Sequence, residues 1–509
     1  MGLRDFTLFD VVQRNARLHP DRVAFIFGSE RITHAAYLAR VERLAAGLAR
    51  VGLRPGDRVV VLSQNNLEFV DLYGAAARLG AILVPVNWRL SVDEVAYAVG
   101  DAAPRIVIAD AVLQPMLQGK QASLPGVERW YGIGGKIPPF APYAELLEAG
   151  EAAGTSLPEP HGAADAGFAM FHTAAVGGRP RGALLSHAGL LAGSTQLLRY
   201  WSLTSDDVNL GILPLFHVAG LAMLLAAQHA GGATVVVPKF DAEAALAHIR
   251  AEKVTMLAEF PPILATLLDK AEGRPGDLAS LRAVTGLDSP ETIARFERLC
   301  PGACFWAAFG QSETSGFVTM APFRDRPGAA GRPAFLSTVA VVDDMDRPVA
   351  AGEVGEIVVR GPMVFKGYWN CEADTAFTFR NGWHHTGDNG AFDAEGYLWY
   401  KGRSPAKELI KPGGENVYPA EVENAIAAHP AIAEVVVLGV PDAQWGEAVK
   451  AVCACKSGRT VSAQELTDFV GARIARYKRP KHVVFVHSLP KTPAGAIDRA
   501  KVKEAHGHA

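Results

Sequence analysis

The sequence predicts an α/β protein of at least two domains, its parallel sheets covered by helices, and three observations carry that reading. The chain has 509 residues, too many for one hydrophobic core. Through its first half, short apolar runs alternate with helix-period segments, the pattern of strand, helix and strand units in a parallel sheet. Beyond residue 402 the pattern changes to a compact mixture of helices and alternating strands, of a length that folds as a unit.

Residues 6–19 place apolar side chains at helical spacing. Val23-Ala24-Phe25-Ile26-Phe27 reads as a strand, Gly28-Ser29-Glu30 as a turn, and Thr33 as the N-cap of a helix reaching Val51. Val59-Val60-Val61-Leu62, a helix through Leu72 to Leu79, and Ala81-Ile82-Leu83-Val84-Pro85-Val86 make one strand, helix and strand unit. The pattern recurs over 106–117. It returns from Ala233-Thr234-Val235-Val236-Val237, through a helix over 242–252, to Val254-Thr255-Met256-Leu257. No internal repeat of fixed short period is visible. In the last part Pro419-Ala420-Glu421-Val422-Glu423 starts a helix, 433–440 and 447–456 alternate as strands, and 463–474 is helical. Tyr477-Lys478-Arg479-Pro480-Lys481 then leads into Val483-Val484-Phe485-Val486.

Composition narrows the function classes. Hydrophobic residues at 49% and charged ones at 20% are ordinary for a globular protein, and a net charge of -3 gives no electrostatic preference for nucleic acid or anionic membrane. The N-terminus interleaves charges with apolar residues and lacks the unbroken core of a signal peptide. The apolar run over 218–227 is broken by Gly220 and followed by Gln228 and His229, too short to span a bilayer. Five cysteines fit neither a disulfide framework nor a four-ligand zinc site, and Cys453 and Cys455 read as buried thiols on one strand face. The cytoplasm is the default compartment.

Several stretches are richer in polar and turn-forming residues than element interiors allow. Over 383–423, Asp388 follows a Thr-Gly turn, Arg403 follows a glycine after an alternating run (Tyr397, Trp399), and Gly413-Gly414 precede Glu415-Asn416. Taken singly, each could be an ordinary hairpin turn. Over 171–187, glycines beside basic residues after an apolar strand suit a loop whose amides point at phosphates, without the Gly-Lys-Ser/Thr of a Walker loop. His217 stands beside an apolar run, where a satisfied core histidine is the plain alternative to a functional one. In Phe309-Gly310-Gln311-Ser312-Glu313-Thr314, an aromatic can stack on a purine, a hydroxyl can reach a phosphate and a carboxylate can hold Mg²⁺.

On these motifs the chain resembles the adenylate-forming superfamily of acyl-CoA synthetases, luciferases and adenylation domains, most closely the AMP-forming acyl-CoA ligases. The resemblance covers nearly the whole chain. It implies a large N-terminal domain with a small β-barrel-like subdomain over 1–402, and a small mobile α+β C-terminal domain over 403–509 with a hinge near 403–408. It assigns ATP to Thr173, Gly178, Arg181, Phe309, Asp388 and Arg403, the last two gripping the ribose. Ser312 meets the α-phosphate, Glu313 holds Mg²⁺, His217 borders the acyl pocket, Lys407 is the hinge, and Gly413 and Gly414 meet coenzyme A. Gly286-Leu287-Asp288-Ser289-Pro290 lies where the family has its adenine turn. The implied reaction joins a small-molecule carboxylic acid to coenzyme A through an acyl-adenylate, and the apolar stretch over 220–232 suggests a fatty or aromatic acid. The oligomeric state is left open, a homodimer included.

The sequence departs from the family at three places. Ala174, Ala175, Val176 and Gly177 replace the hydroxyl residues and glycine of the phosphate loop, and Arg181 replaces a lysine. Ser404-Pro405-Ala406 lengthens the approach to Lys407. Ala496 stands where the family has the lysine that bridges the substrate carboxylate and the α-phosphate. A cation placed on developing charge is worth about 10² to 10³ in rate, so impaired adenylation is expected. The alternative is a non-catalytic nucleotide- or acyl-binding protein of the same fold.

Overall fold

The computed structural model describes residues 2–135, 137–153, 162–173, 180–403, 409–492 and 497–508. It is the mixed α/β structure expected, with parallel sheets covered by helices. In one large sheet Gly167–Thr173, Ile82–Pro85, Arg58–Leu62, Ile106–Asp110, Arg129–Ile133 and Ala141–Pro142 lie side by side and parallel. Arg181–Ser186 and Gly367–Tyr368 extend it antiparallel at the Gly167–Thr173 edge. In the other, Val23–Phe27, Ala233–Val236, Val208–Gly211, Met256–Glu259, Ala283–Gly286 and Cys304–Gln311 are parallel, with antiparallel strands added at both ends. Strands such as Ile82–Pro85, Ile106–Asp110 and Ala233–Val236 are buried at every residue. This is why they read as unbroken apolar runs instead of alternating ones.

Local signals hold where they were expected. Thr33 caps the helix His34–Arg50 by accepting the Ala36 amide at 3.2 Å, and Thr7 does the same for Leu8–Leu18 within a capping box. Helices Leu67–Leu79 and Val218–Ala230 are buried almost all round, as helices packed inside a large protein are. Among the described residues, no helix is long and apolar enough to cross a membrane. Phe9, Phe69 and Phe168 are fully buried in the cluster around the first sheet, where truncating one to alanine costs about 3 to 5 kcal/mol.

Three expectations needed correction. The strand Ile106–Asp110 is followed by a short 3-10 turn, Gln114–Leu117, in place of a helix, because Pro115 opens it and Gly119 at φ 76 ends it. The helix over 463–474 stops at Gly471, where a Cβ would meet the Arg479 side chain at 2.5 Å as the chain folds back. Of the two free thiols expected to be buried, Cys453 is buried and Cys455 only half-buried.

Two smaller sheets complete the structure. Thr338–Val342, Gly355–Arg360, His384–Phe392 and Leu398–Arg403 form a four-stranded antiparallel sheet. Near the C-terminus, Ile432–Asp442, Gly446–Cys455 and His482–Val486 form a three-stranded sheet, with Pro419–Ala427 and Ala463–Gly471 packed around their own apolar cluster. The short hairpin Ile410 to Val417 reaches from this unit toward the ends of the large sheets.

Candidate active site

The strands His384–Phe392 and Leu398–Arg403 pair so that Asp388 lies directly opposite Arg403. The Arg403 Nε is 3.1 Å from Asp388 Oδ1, and the Tyr400 hydroxyl donates to the same oxygen at 3.2 Å. Gln311 Nε2 donates to Asp388 Oδ2 and, at 2.9 Å, to the Thr386 carbonyl. The Thr386-Gly387-Asp388 turn is locked in place by Thr386 Oγ1 on the Ile357 carbonyl at 2.6 Å and by the Gly387 amide on Glu356 at 2.8 Å. An acid and a guanidinium are thus held rigidly against each other, each with a neighbour from a different strand.

The motif over 309–314 sits at the end of strand Cys304–Gln311, where the chain reverses through the turn Ser312–Thr314 and Ser315 at φ 51. A Cβ on Gly310 would lie 2.0 Å from the Gly316 carbonyl oxygen, so this reversal requires glycine. Glu313 Oε1 accepts from the Thr173 hydroxyl and the Tyr368 hydroxyl, both at 3.0 Å. Thr173, from the end of strand Gly167–Thr173, and Glu313 are thus brought together from 140 residues apart. Arg181 begins the antiparallel return strand, 2.7 Å from Asp374 and 3.9 Å over the Tyr368 ring. Its charge therefore reaches the Glu313 region only past that ring. Ser312 is half-buried. Phe309 is nearly buried among Val318, Ile357 and Leu398, and its ring leans on that of Tyr400 at 6.2 Å. Ser289, in the expected adenine turn, caps helix Pro290–Leu299 by accepting the Thr292 amide at 3.1 Å.

Gly413 and Gly414 have φ values of 57 and 83, and a Cβ on either would lie 2.8 Å from the rings of Trp445 and Phe260 respectively. Glycine lets the backbone fold closely against Trp445 of its own unit at 413 and press onto Phe260 of the large unit at 414. The following Glu415 is inserted into it. It accepts from Asn87 Nδ2 at 3.0 Å, from the Arg89 guanidinium, and from His217 Nε2 at 3.3 Å. Burial would raise the Glu415 carboxyl, but the His217 and Arg89 charges outweigh it and hold it at about 2. His217 precedes helix Val218–Ala230 without capping it by its side chain, which leaves its ring for Glu415.

Lys411 lies between the two halves of the site. Burial pulls its ammonium down to about 8, with Arg403 acting the same way and Asp388, Glu447 and Glu313 opposing it. Both Asp388 and Glu313 are therefore near enough to act on one cation. Tyr418 is half-buried, its buried hydroxyl has no hydrogen-bond partner among the described residues, and it is likewise flanked by Arg403, Glu313 and Asp388.

Gly178, Lys407 and Ala496 lie outside the described residues. The remaining expected site residues fall into one region with three foci, around Asp388, Glu313 and Glu415. Sequence reasoning missed Gln311, Tyr368, Tyr400, Lys411 and the role of Glu415. Gln311 and Glu415 stood inside quoted motifs, but nothing in their local spacing points to Asp388 or His217. Among the described residues no group of three or more His, Cys, Asp or Glu side chains is arranged to hold a metal ion. The donor set at Glu313, one carboxylate with a hydroxyl beside it, fits Mg²⁺, which keeps several waters and shares phosphate oxygens.

Residues 12–369 match the AMP-binding enzyme family, and residues 421–496 match the AMP-binding enzyme C-terminal domain. Indoleacetate–CoA ligase of Aromatoleum aromaticum is 35% identical over 506 residues, covering 98% of each chain. Long-chain-fatty-acid–CoA ligase FadD13 of Mycobacterium tuberculosis is 32% identical, covering 97% of this chain and 98% of its own. Among solved structures, a double mutant of o-succinylbenzoate CoA synthetase (MenE) of Bacillus subtilis bound with its product analogue OSB-NCoA is 29% identical. It covers 99% of each chain at a TM-score of 0.87. The same enzyme in complex with the acyl-adenylate intermediate OSB-AMP, with equal coverage and 28% identity, gives 0.72.

Proposed function

The chain is a member of the AMP-binding enzyme family, and on that premise we propose that it is an AMP-forming carboxylate:CoA ligase working through an acyl-adenylate. The single observation that carries this is the convergence of the Asp388–Arg403 and Glu313–Thr173 pairs on Lys411 of the same hairpin that inserts Glu415 against His217. In the first step a carboxylate oxygen of the acid attacks the α-phosphorus of ATP and pyrophosphate leaves. In the second the thiol sulfur of coenzyme A attacks the acyl carbon, the C–O bond to AMP breaks, and the thiol proton is lost to solvent or base.

Asp388 and Arg403 take the ribose hydroxyls as acceptor and donor, exchanging their mutual contact for the ligand. Thr173 and Ser312 face the phosphates, and Phe309 backs the purine. Glu313 with the phosphates would hold Mg²⁺, which supplies charge neutralisation there. His217 borders the acyl group and Gly413 and Gly414 meet coenzyme A. The chain divides into 1–402 and 403–509, with Lys407 in the hinge.

One feature supports an apolar acid: the relatives it resembles act on indoleacetate and long-chain fatty acids. The better superposition on the product-analogue complex than on the acyl-adenylate complex, together with the inserted Glu415, supports a resting arrangement suited to the coenzyme A step. Ala496 and the altered phosphate loop support impaired adenylation.

The test compares acyl-CoA formed from supplied acyl-adenylate and coenzyme A with acid-dependent pyrophosphate exchange. Thioester formation should persist while exchange is slow; brisk exchange, or equal loss of both, removes the impaired-adenylation reading. The same departures favour a second reading, a nucleotide- or acyl-binding protein without turnover. Calorimetric binding of ATP or AMP with no thioester from any supplied adenylate would establish that one instead.

A further inference from the structure

The C-terminal unit meets the large unit at a second point, away from Glu415. Lys478, only 3% exposed, donates to Glu421 Oε1 and Oε2 at 2.7 and 2.9 Å within its own unit. Across the interface it donates to Glu94 Oε1 on helix Val92–Ala102. The Ala475 amide, three residues before Lys478, donates to the other Glu94 oxygen at 3.1 Å. One turn of the small unit therefore delivers two donors to one carboxylate of the large unit.

Each partner has a second engagement of its own. The Ser91 amide donates to Glu94 Oε2 at 2.6 Å in a capping box, and Lys478 is paired with Glu421 inside its unit. If the units part, Glu94 keeps the Ser91 amide and Lys478 keeps Glu421, so neither is left as a buried unpaired charge, the outcome that makes breaking an ion pair expensive. A contact built in this way can be made and released. The half-buried Tyr477 ring, beside Lys478, lies near Glu94 and Glu421 and also near Glu415 and Arg89, so the two contact points are neighbours.

We propose that Lys478 is a positioning residue for the thioester-forming step: by bridging Glu94 and Glu421 it holds the C-terminal unit where Glu415 reaches His217. This rests on the ligase reading above, and ATP binding by the large unit does not call on the bridge. Burial drives the Glu421 carboxyl up to about 7, Glu94 beside it adding to the rise against the Lys478 charge. The two acids thus share a single cation under strain, consistent with a contact poised to release.

The experiment uses the full chain with Lys478→Met, Lys478→Arg and Glu94→Gln, the last keeping an oxygen for the Ser91 and Ala475 amides so that the helix cap survives. Lys478→Met and Glu94→Gln should each lower thioester formation from supplied acyl-adenylate tenfold or more and leave ATP affinity by calorimetry no weaker than twofold. They should also raise amide hydrogen exchange over 92–102 and 475–481. Lys478→Arg should recover most of the rate. Unchanged exchange in both segments, an unchanged rate, or ATP affinity falling in step with the rate would each overturn the role of Lys478. If the unsubstituted protein forms no thioester from any supplied adenylate, the ligase reading is what fails, even where amide exchange still registers the bridge.

Discussion

The surroundings of Glu415 and of Arg181 are built from the same kinds of side chain and end in opposite conditions. Glu415 comes from the C-terminal unit and finds an amide, a guanidinium and an imidazole already converging on it from the large one. Arg181 stands at the mouth of the phosphate loop with its charge committed to Asp374 and its face to Tyr368, beside a loop that has lost its hydroxyls. On the ligase reading proposed above, the Glu415 side would serve coenzyme A and the Arg181 side the phosphates, so the proposed enzyme would retain its second step more fully than its first.

Restoring the missing cation is the strongest way to break this contrast. Ala496→Lys should raise acid-dependent pyrophosphate exchange by about 10² to 10³ and leave thioester formation from supplied adenylate unchanged. An unchanged exchange rate would mean that the phosphate loop, not residue 496, limits adenylation. On the opposite side, Glu415→Ala leaves Arg89 and His217 without their shared acid. With Arg89 partly exposed, the loss is expected at about 1 to 2 kcal/mol, roughly tenfold in the rate of thioester formation. Stopped-flow measurement with supplied adenylate reads it directly, and ATP affinity should not move.

The two contact points of the small unit should also separate by pH. A carboxyl held at about 2 stays ionised from the ordinary carboxylate range upward, so Glu415 itself does not change charge above about pH 4.5. Glu421 is raised to about 7, so its favourable contribution is fully present below the ordinary carboxylate value and is lost as pH rises through 7. The groups facing it are Glu94 on helix Val92–Ala102, Lys478 and Tyr477, with Glu415 and Arg89 beyond the Tyr477 ring. The ratio of the unsubstituted rate to that of Glu421→Gln should therefore fall between pH 6 and 8. A flat ratio would show that the acid pair does not titrate there. The smallest effect is expected for Arg181→Lys, which keeps the pairing with Asp374 and loses the planar contact with Tyr368. Exchange should change by about twofold to fivefold, and a larger change would mean that Arg181 itself holds phosphate.

Much of this was legible beforehand. The unbroken apolar runs at 82–85 and 233–236 announced buried parallel strands, because a strand covered on both faces has no polar side to alternate. Thr33 announced a cap, and Gly413-Gly414 announced a turn, which the structure makes at φ 57 and 83. The family resemblance put Asp388 and Arg403 together, and the structure joins them through a hairpin of paired strands. The short turn at 114–117 was misread as a helix since apolar spacing alone does not weigh what Pro115 and Gly119 do to its ends.

The sequence by itself determined the layering, the turns and the identity of the charged groups, since periodicity, caps and glycine conformations act over a few residues. Only the tertiary structure decided that Glu415 would meet His217 across 198 residues and Lys478 would meet Glu94 across 384. Those pairings depend on how two separately folded units dock, and no local spacing encodes the distance between charges carried on different bodies.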